Sequence, residues 1–259
     1  MIDHRNPEEL LRSLGISAPG EIDVVALADV LGVEVRRQPL SGCEARILGT
    51  SERAIITVNS RSIPTRQRFS IAHELGHWRW HRGRALMCKP DDMEVGDRRR
   101  LSSATSERIA DRYAAALLMP EYLVRPILSG LSYIEFSHVY SISQTFDTSF
   151  IASAIRLVEL NLVPSLLVCH NIMGRKWFVR ARDIPERWFP RRELGAESLA
   201  LDLMHAGTDR RRPELVPAHA WFDRGDAYQY EIMEQSCRLP TGDVLSLLSI
   251  TDEDMLEDL

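Results

Sequence analysis

The chain has 259 residues, enough for one large domain or two modest ones with a well-buried core. Its hydrophobic fraction of 44% and charged fraction of 27% are ordinary for a soluble globular protein. The formal net charge of −5 argues against a protein that coats nucleic acid over its whole surface and leaves only local basic patches open.

In chain order, 6–14 is predicted as a short opening helix, with Asn6 as N-cap and Pro7 in its first turn. Met1 to Asn6 carry no basic start followed by an apolar run, so no signal peptide is expected and the chain is read as cytoplasmic. A second helix is expected over 22–31, and Val33-Glu34-Val35-Arg36 alternates as a strand does. The apolar runs 45–48 and 54–58 flank Gly49-Thr50-Ser51 and read as a hairpin. A long helix with Pro64 in its first turn should run to about His81. The polar stretch 88–103 reads as a surface loop, followed by a second long helix from about Ser106 to Leu118, stopped by Pro120. A short helix over 121–128 contains Pro126, and 132–160 is mostly helical. The apolar region 150–168 is broken by Arg156, Glu159, Asn161 and Pro164. A membrane helix needs roughly 20 apolar residues in a row, so no membrane partner is expected. Beyond residue 160 the texture changes. Strands are predicted over 165–170, 176–180, 215–222, 228–235 and 244–250, a helix over 197–204, and a frayed acidic tail over 251–259.

Four cysteines, Cys43, Cys88, Cys169 and Cys237, form no C-x-x-C pair. That spacing points to reduced thiols rather than a disulfide framework or a cysteine-rich zinc site.

His73-Glu74-Leu75-Gly76-His77 has the form H-E-x-x-H. On a helix, residues four apart share a face, so both imidazoles can converge on one zinc ion while Glu74 reaches the water beside it. A catalytic zinc takes a third protein ligand and keeps one position open. His81 shares the face, but eight residues of helix at about 1.5 Å each put it about 12 Å from His73 along the axis. Glu107, opening the next long helix, is the better third ligand if that helix folds back beside the first. Asp111, one turn further on, can accept the outer N–H of a ligating histidine. As general base, Glu74 would take a proton from water and return it to the leaving amine. Tyr113, Tyr122, His138 and Tyr140 stay open as sources of a second electrophile.

These segments are specific enough to carry a resemblance. Arg68 to His77, then Glu107 to Pro120 (ERIADRYAAALLMP), and the segment Phe146 to Leu157 with its closing Arg156-Leu157, resemble the ImmA/IrrE family of metallo-endopeptidases over roughly 20–160. The resemblance implies Zn2+ held by His73, His77 and Glu107. Asp111 stands where the family more often has asparagine. It also implies an α+β fold in three parts: a zincin-like, mainly helical metallopeptidase domain with a small sheet over 1–130; a helix-turn-helix-like module over 131–160; and an α/β, GAF-like sensor domain over 161–259. The implied activity is site-specific cleavage of a helix-turn-helix transcriptional repressor, inducing a stress, DNA-damage or defence response. The rival reading is a non-cleaving, zinc-containing sensor or transcriptional regulator, against which the base at Glu74 counts.

Two further readings come from the residues. Cys88 lies in the loop between His77 and Glu107, where a thiolate could fill the open zinc position and inhibit. The runs Arg98-Arg99-Arg100 and Arg210-Arg211-Arg212, with Trp188, Phe189 and Trp221 as stacking surfaces, suggest single-stranded DNA as an activator; a small-molecule activator is the alternative.

Overall fold

Local signals set the first elements. Helix α1 (Pro7–Ser13) starts at Asn6, whose side chain accepts the Glu8 N–H at 3.0 Å, and has Pro7 in its first turn. Helix α2 (Val24–Val30) starts at Asp23, which accepts from the N–H groups of Val25 and Ala26. The computed structural model describes residues 6–50, 52–81, 97–205 and 212–257, and the side chains of all these except 81 and 97–105. The architecture is α+β.

The chain folds as two compact units, Met1–Ile127 with Ile142–Ser149, and Leu128–Ser141 with Phe150–Leu259. In the first, strands β1 (Val33–Gln38), β2 (Ala45–Gly49) and β3 (Ala54–Asn59) form a sheet in the order β1-β3-β2. β2 and β3 make the expected antiparallel hairpin, with Ile47 opposite Ile56. β1 pairs parallel to β3 on its other side, with Val35 opposite Ile56. The central strand β3 therefore buries Ala54, Ile56 and Val58. Helix α3 (Pro64–His81) packs on β2, β3 and α2, and helix α4 (Asp97–Leu118) packs along α3 and on α1. Helix α5 (Glu121–Val124) gives way to a 3-10 turn over Arg125–Leu128, where Pro126 removes a backbone donor.

One sequence expectation changes here. α4 begins at Asp97, not near Ser106, so 97–103 is helix rather than surface loop. The stretch 97–105 contains no glycine or proline, and its three arginines with Leu101 and Ala104 are good helix formers. Its polarity reflects a charged helix, which composition alone does not separate from a loop.

Helices α6 (Phe136–Thr145) and α7 (Phe150–Glu159) follow, with the turn residue Asp147 at φ 51°. In the second unit, β4 (Ser165–Asn171), β5 (Gly174–Arg180), β6 (Glu214–Pro217), β7 (Glu231–Arg238) and β8 (Val244–Ser249) form one sheet in the order β5-β4-β8-β7-β6. Every pairing in it is antiparallel. Helix α7 packs on β4 and β5, and helix α8 (Leu199–His205) on β7 and β8.

Three expectations are corrected in this unit. The strand expected over 215–222 stops at Pro217, because Ala218–Ala220 make a 3-10 turn that brings Trp221 into the core. The strand expected from 228 starts at Glu231, after a 3-10 turn over Asp226–Gln229. The tail is anchored through 257 rather than frayed. Met255 is fully buried, and its carbonyl accepts the Trp188 indole N–H at 2.6 Å. Among the described residues no helix is long and apolar enough to cross a membrane.

Candidate metal centre

The candidate site is built on α3 and α4. Arg68 ties down the first half of α3: its guanidinium donates to the Ile22 carbonyl at 3.1 Å and lies 3.5 Å from the Asp147 carboxylate. One turn after Phe69, whose ring lies 6.2 Å from that of His73, the two histidines follow on one face. Their rings stand edge to face with centroids 4.7 Å apart, and their Nε2 atoms are 3.0 Å apart. Glu107, near the middle of α4, sets Oε2 3.2 Å from His73 Nε2 and Oε1 3.3 Å from His77 Nε2. Asp111 accepts the His73 Nδ1–H at 2.9 Å.

That last bond determines the electrostatics. With the proton on Nδ1, the Nε2 of a neutral His73 presents a lone pair, and it does so toward His77 Nε2 and a carboxylate. Burial, the largest single influence, pulls the His73 pKa down, but the hydrogen bond and charge of Asp111, with the charges of Glu74 and Glu107, outweigh it and hold the pKa above the usual histidine value. Acceptor atoms gathered this closely repel one another unless a proton or a cation lies between them.

The dimensions fit a cation. A tetrahedral zinc with bonds of about 2.0–2.1 Å places its ligand atoms about 3.3 Å apart. The observed edges of 3.0, 3.2 and 3.3 Å are close to that length. The donor set, two imidazole nitrogens and a carboxylate, is one that catalytic zinc uses. His77 is buried while the Glu107 side chain is 51% exposed, so the triangle is open to solvent on its α4 side. The three residues form a group that could hold a metal ion, with their candidate ligand atoms within 4.8 Å of one another.

Glu74 is only 3% exposed, and its Oε2 has no hydrogen-bond partner among the described residues. Burial, helped by the nearby Glu107 charge and opposed by His73, pushes its carboxyl up to about 7. An unsatisfied buried carboxylate oxygen is costly, and beside a cation it has a use as a proton acceptor.

Cys88 lies outside the described residues, as do Arg210 and Arg211 and the side chains of Arg98, Arg99 and Arg100. Trp188 and Trp221 are core residues, at 0% and 1% exposure, with indole N–H groups bonded to the Met255 carbonyl and the Glu234 carboxylate. They cannot stack bases, and only Phe189 of the three expected platforms is exposed. Tyr122 donates its hydroxyl to the Ile16 carbonyl at 2.7 Å and is committed there. The Tyr113 hydroxyl is buried without a partner among the described residues, and burial pushes it up to about 12. His138 accepts the Glu135 N–H at 3.1 Å, a local cap, and both His138 and Tyr140 belong to the second unit. No second electrophile emerges from this set.

Sequence reading passed over Gly76. A Cβ there would stand 2.9 Å from the Ala110 Cα and 3.1 Å from its carbonyl oxygen. The signal was present as a glycine inside a long helix, where it costs helix stability unless close packing needs it.

A family model described as an IrrE N-terminal-like domain, Peptidase_M78, matches residues 28–158. The Radiation response metalloprotease IrrE of Deinococcus radiodurans is 31% identical over 115 residues, which make up 42% of this chain and 32% of that protein. The chain thus spans about a third of the length of that relative. A Mycobacterium tuberculosis transcriptional regulator of known structure superposes with a TM-score of 0.62 at 14% identity, over 96% of this chain and 76% of that one. A likeness at that identity is one of fold.

Proposed function

The chain belongs to the Peptidase_M78, IrrE N-terminal-like family, and we propose that its first unit is a zinc-dependent endopeptidase in which His73, His77 and Glu107 hold the metal and Glu74 is the general base. One observation carries this reading: three candidate ligand atoms spaced as a tetrahedral ion requires, beside a buried carboxylate oxygen with no partner among the described residues.

Zinc bound there supplies Lewis acidity, lowering the pKa of water to about 7 and polarising a peptide carbonyl. The chain's own groups do the rest. Asp111 fixes the His73 tautomer by accepting its Nδ1–H, which aims Nε2 inward and raises its basicity. Glu107 adds a negative charge that offsets part of the ion's. Glu74 takes the proton of the attacking water on Oε2 and returns it to the amine as the peptide bond breaks. A regulator with a purely structural metal would have no use for a carboxylate buried in this state, which favours the enzyme over the non-cleaving alternative.

The substrate reading is a helix-turn-helix repressor, cleaved in the cytoplasm as part of a stress, DNA-damage or defence response. It is supported by the family resemblance and by the relative named as a radiation response metalloprotease. In the same reading 161–259 is a GAF-like sensor of a small molecule. Its antiparallel sheet with helices against it supports that role by analogy of fold.

The test is metal content and cleavage on the full chain, with any helix-turn-helix repressor encoded beside its gene as the substrate. Glu74→Gln should keep zinc and lose cleavage, and His77→Ala should lose both. A Glu74→Gln protein that cuts at the wild-type rate would overturn the mechanism.

A further inference from the structure

Building on the metal-centre reading above, the structure assigns Gly76 as the residue that positions Glu107: it lets α4 approach α3 closely enough for a carboxylate on one helix to meet two imidazoles on the other. Gly76 lies between His73 and His77, and Ala110 lies between Glu107 and Asp111. The two small residues face each other at the crossing. A methyl group on Gly76 would meet the Ala110 Cα at 2.9 Å, the Ala110 carbonyl oxygen at 3.1 Å and the Tyr113 Cβ at 3.1 Å. The first two are backbone atoms and cannot swing away. Ala72 on α3 and Ala110 and Ala114 on α4 are fully buried.

Carbon–carbon contacts rest at about 3.5–4.0 Å, so a methyl at 76 would drive the helices apart by about 0.6–1 Å. The consequence is selective. His73 and His77 ride on the same helix and keep their 3.0 Å edge. The 3.2 and 3.3 Å edges to Glu107 cross the seam and lengthen. A carboxylate–zinc bond of about 2.0–2.2 Å does not tolerate a displacement of that size. The glycine's unfavourable helix propensity is thus offset by the closeness it permits.

The experiment measures zinc affinity of the full chain by competition with a chromogenic chelator, and the visible absorption of the Co2+-substituted protein as a report on its ligand set. Gly76→Ala should weaken zinc binding about 10- to 100-fold, the range that a lost supporting contact costs. Its Co2+ spectrum should move to that of Glu107→Ala. Adding Glu107→Ala to Gly76→Ala should cost little more, because the carboxylate is already out of reach, while His77→Ala should abolish binding in either background. Wild-type affinity and spectrum in Gly76→Ala, or full additivity with Glu107→Ala, overturns the assignment and leaves the metal centre intact. A wild-type chain that binds no zinc, or a His77→Ala protein that binds it normally, overturns the metal centre and this assignment with it. Should Gly76→Ala fail to fold by circular dichroism, Ala110→Val crowds the same seam from α4 and is held to the same readouts. If neither variant folds, the seam serves the fold rather than Glu107, and the assignment is overturned.

Discussion

Each unit buries a glutamate, and the two are treated in opposite ways. Glu234 in β7 is fully buried and receives four donors: the N–H groups of Leu199 and Ala200 at 3.1 and 2.8 Å, the Trp221 indole at 2.6 Å and the Ser236 hydroxyl at 2.8 Å. Ser236 in turn pairs with Ser246 at 2.7 Å. Glu74 in α3 is almost as buried, yet one of its oxygens has no partner among the described residues. Burial raises the pKa of both carboxyls. What differs is the use of their lone pairs. At Glu234 they are spent inside the fold, joining the start of α8 to the sheet. At Glu74 one is left unpaired among the described residues, and the proposed mechanism uses it. A satisfied buried carboxylate is a strut, and an unsatisfied one beside a group that could hold a metal is what the proposed chemistry calls for.

Substitution can break or sharpen that contrast. The largest effect belongs to Glu74→Gln, which keeps size and loses basicity. Cleavage should fall about 10²- to 10⁴-fold, the typical contribution of acid–base catalysis, with zinc content unchanged in an elemental assay. Glu234→Ala should do the reverse, leaving zinc binding alone and destabilising the fold. It strands four buried donors at about 1–3 kcal/mol each before relaxation, so a loss on the order of 3 kcal/mol or more is expected in urea unfolding. A near-neutral result would mean that the network is not a strut. Asp111→Ala removes the acceptor of the His73 N–H and should cost about 10- to 100-fold in zinc affinity with little change in melting temperature. The smallest effect is at Trp188→Phe, which keeps an aromatic ring and loses the bond to the Met255 carbonyl, for about 1 kcal/mol. If that variant left the tail's protease resistance and the unfolding midpoint unchanged, the bond would not be what anchors the tail.

Legibility in the sequence followed the range of the interaction. The caps at Asn6 and Asp23 are short-range effects, and helices start at both. So is the i,i+4 spacing that puts His73 and His77 on one face. The β2–β3 hairpin is local too, read from two apolar runs around a turn. By contrast, nothing in the alternation of 33–36 says that β1 pairs parallel to β3 and leaves β2 on the far side. The early start of α4 was hidden because a charged helix and a polar loop share a composition. Trp188 and Trp221 read as exposed platforms because an aromatic's burial depends on what folds over it, here the tail and the Glu234 network.

The sequence by itself determined that His73 and His77 share one face of α3 with Glu74 beside them, because helical geometry carries side chains to predictable places over a few residues. Only the tertiary structure decided that Glu107 stands 3.2 and 3.3 Å from those histidines, and that Glu74 and Glu234 meet opposite environments. Both depend on how closely helices and strands far apart in the chain can pack. That closeness is set by small residues such as Gly76 and Ala110 meeting across a seam, a contact visible only once both helices are in place.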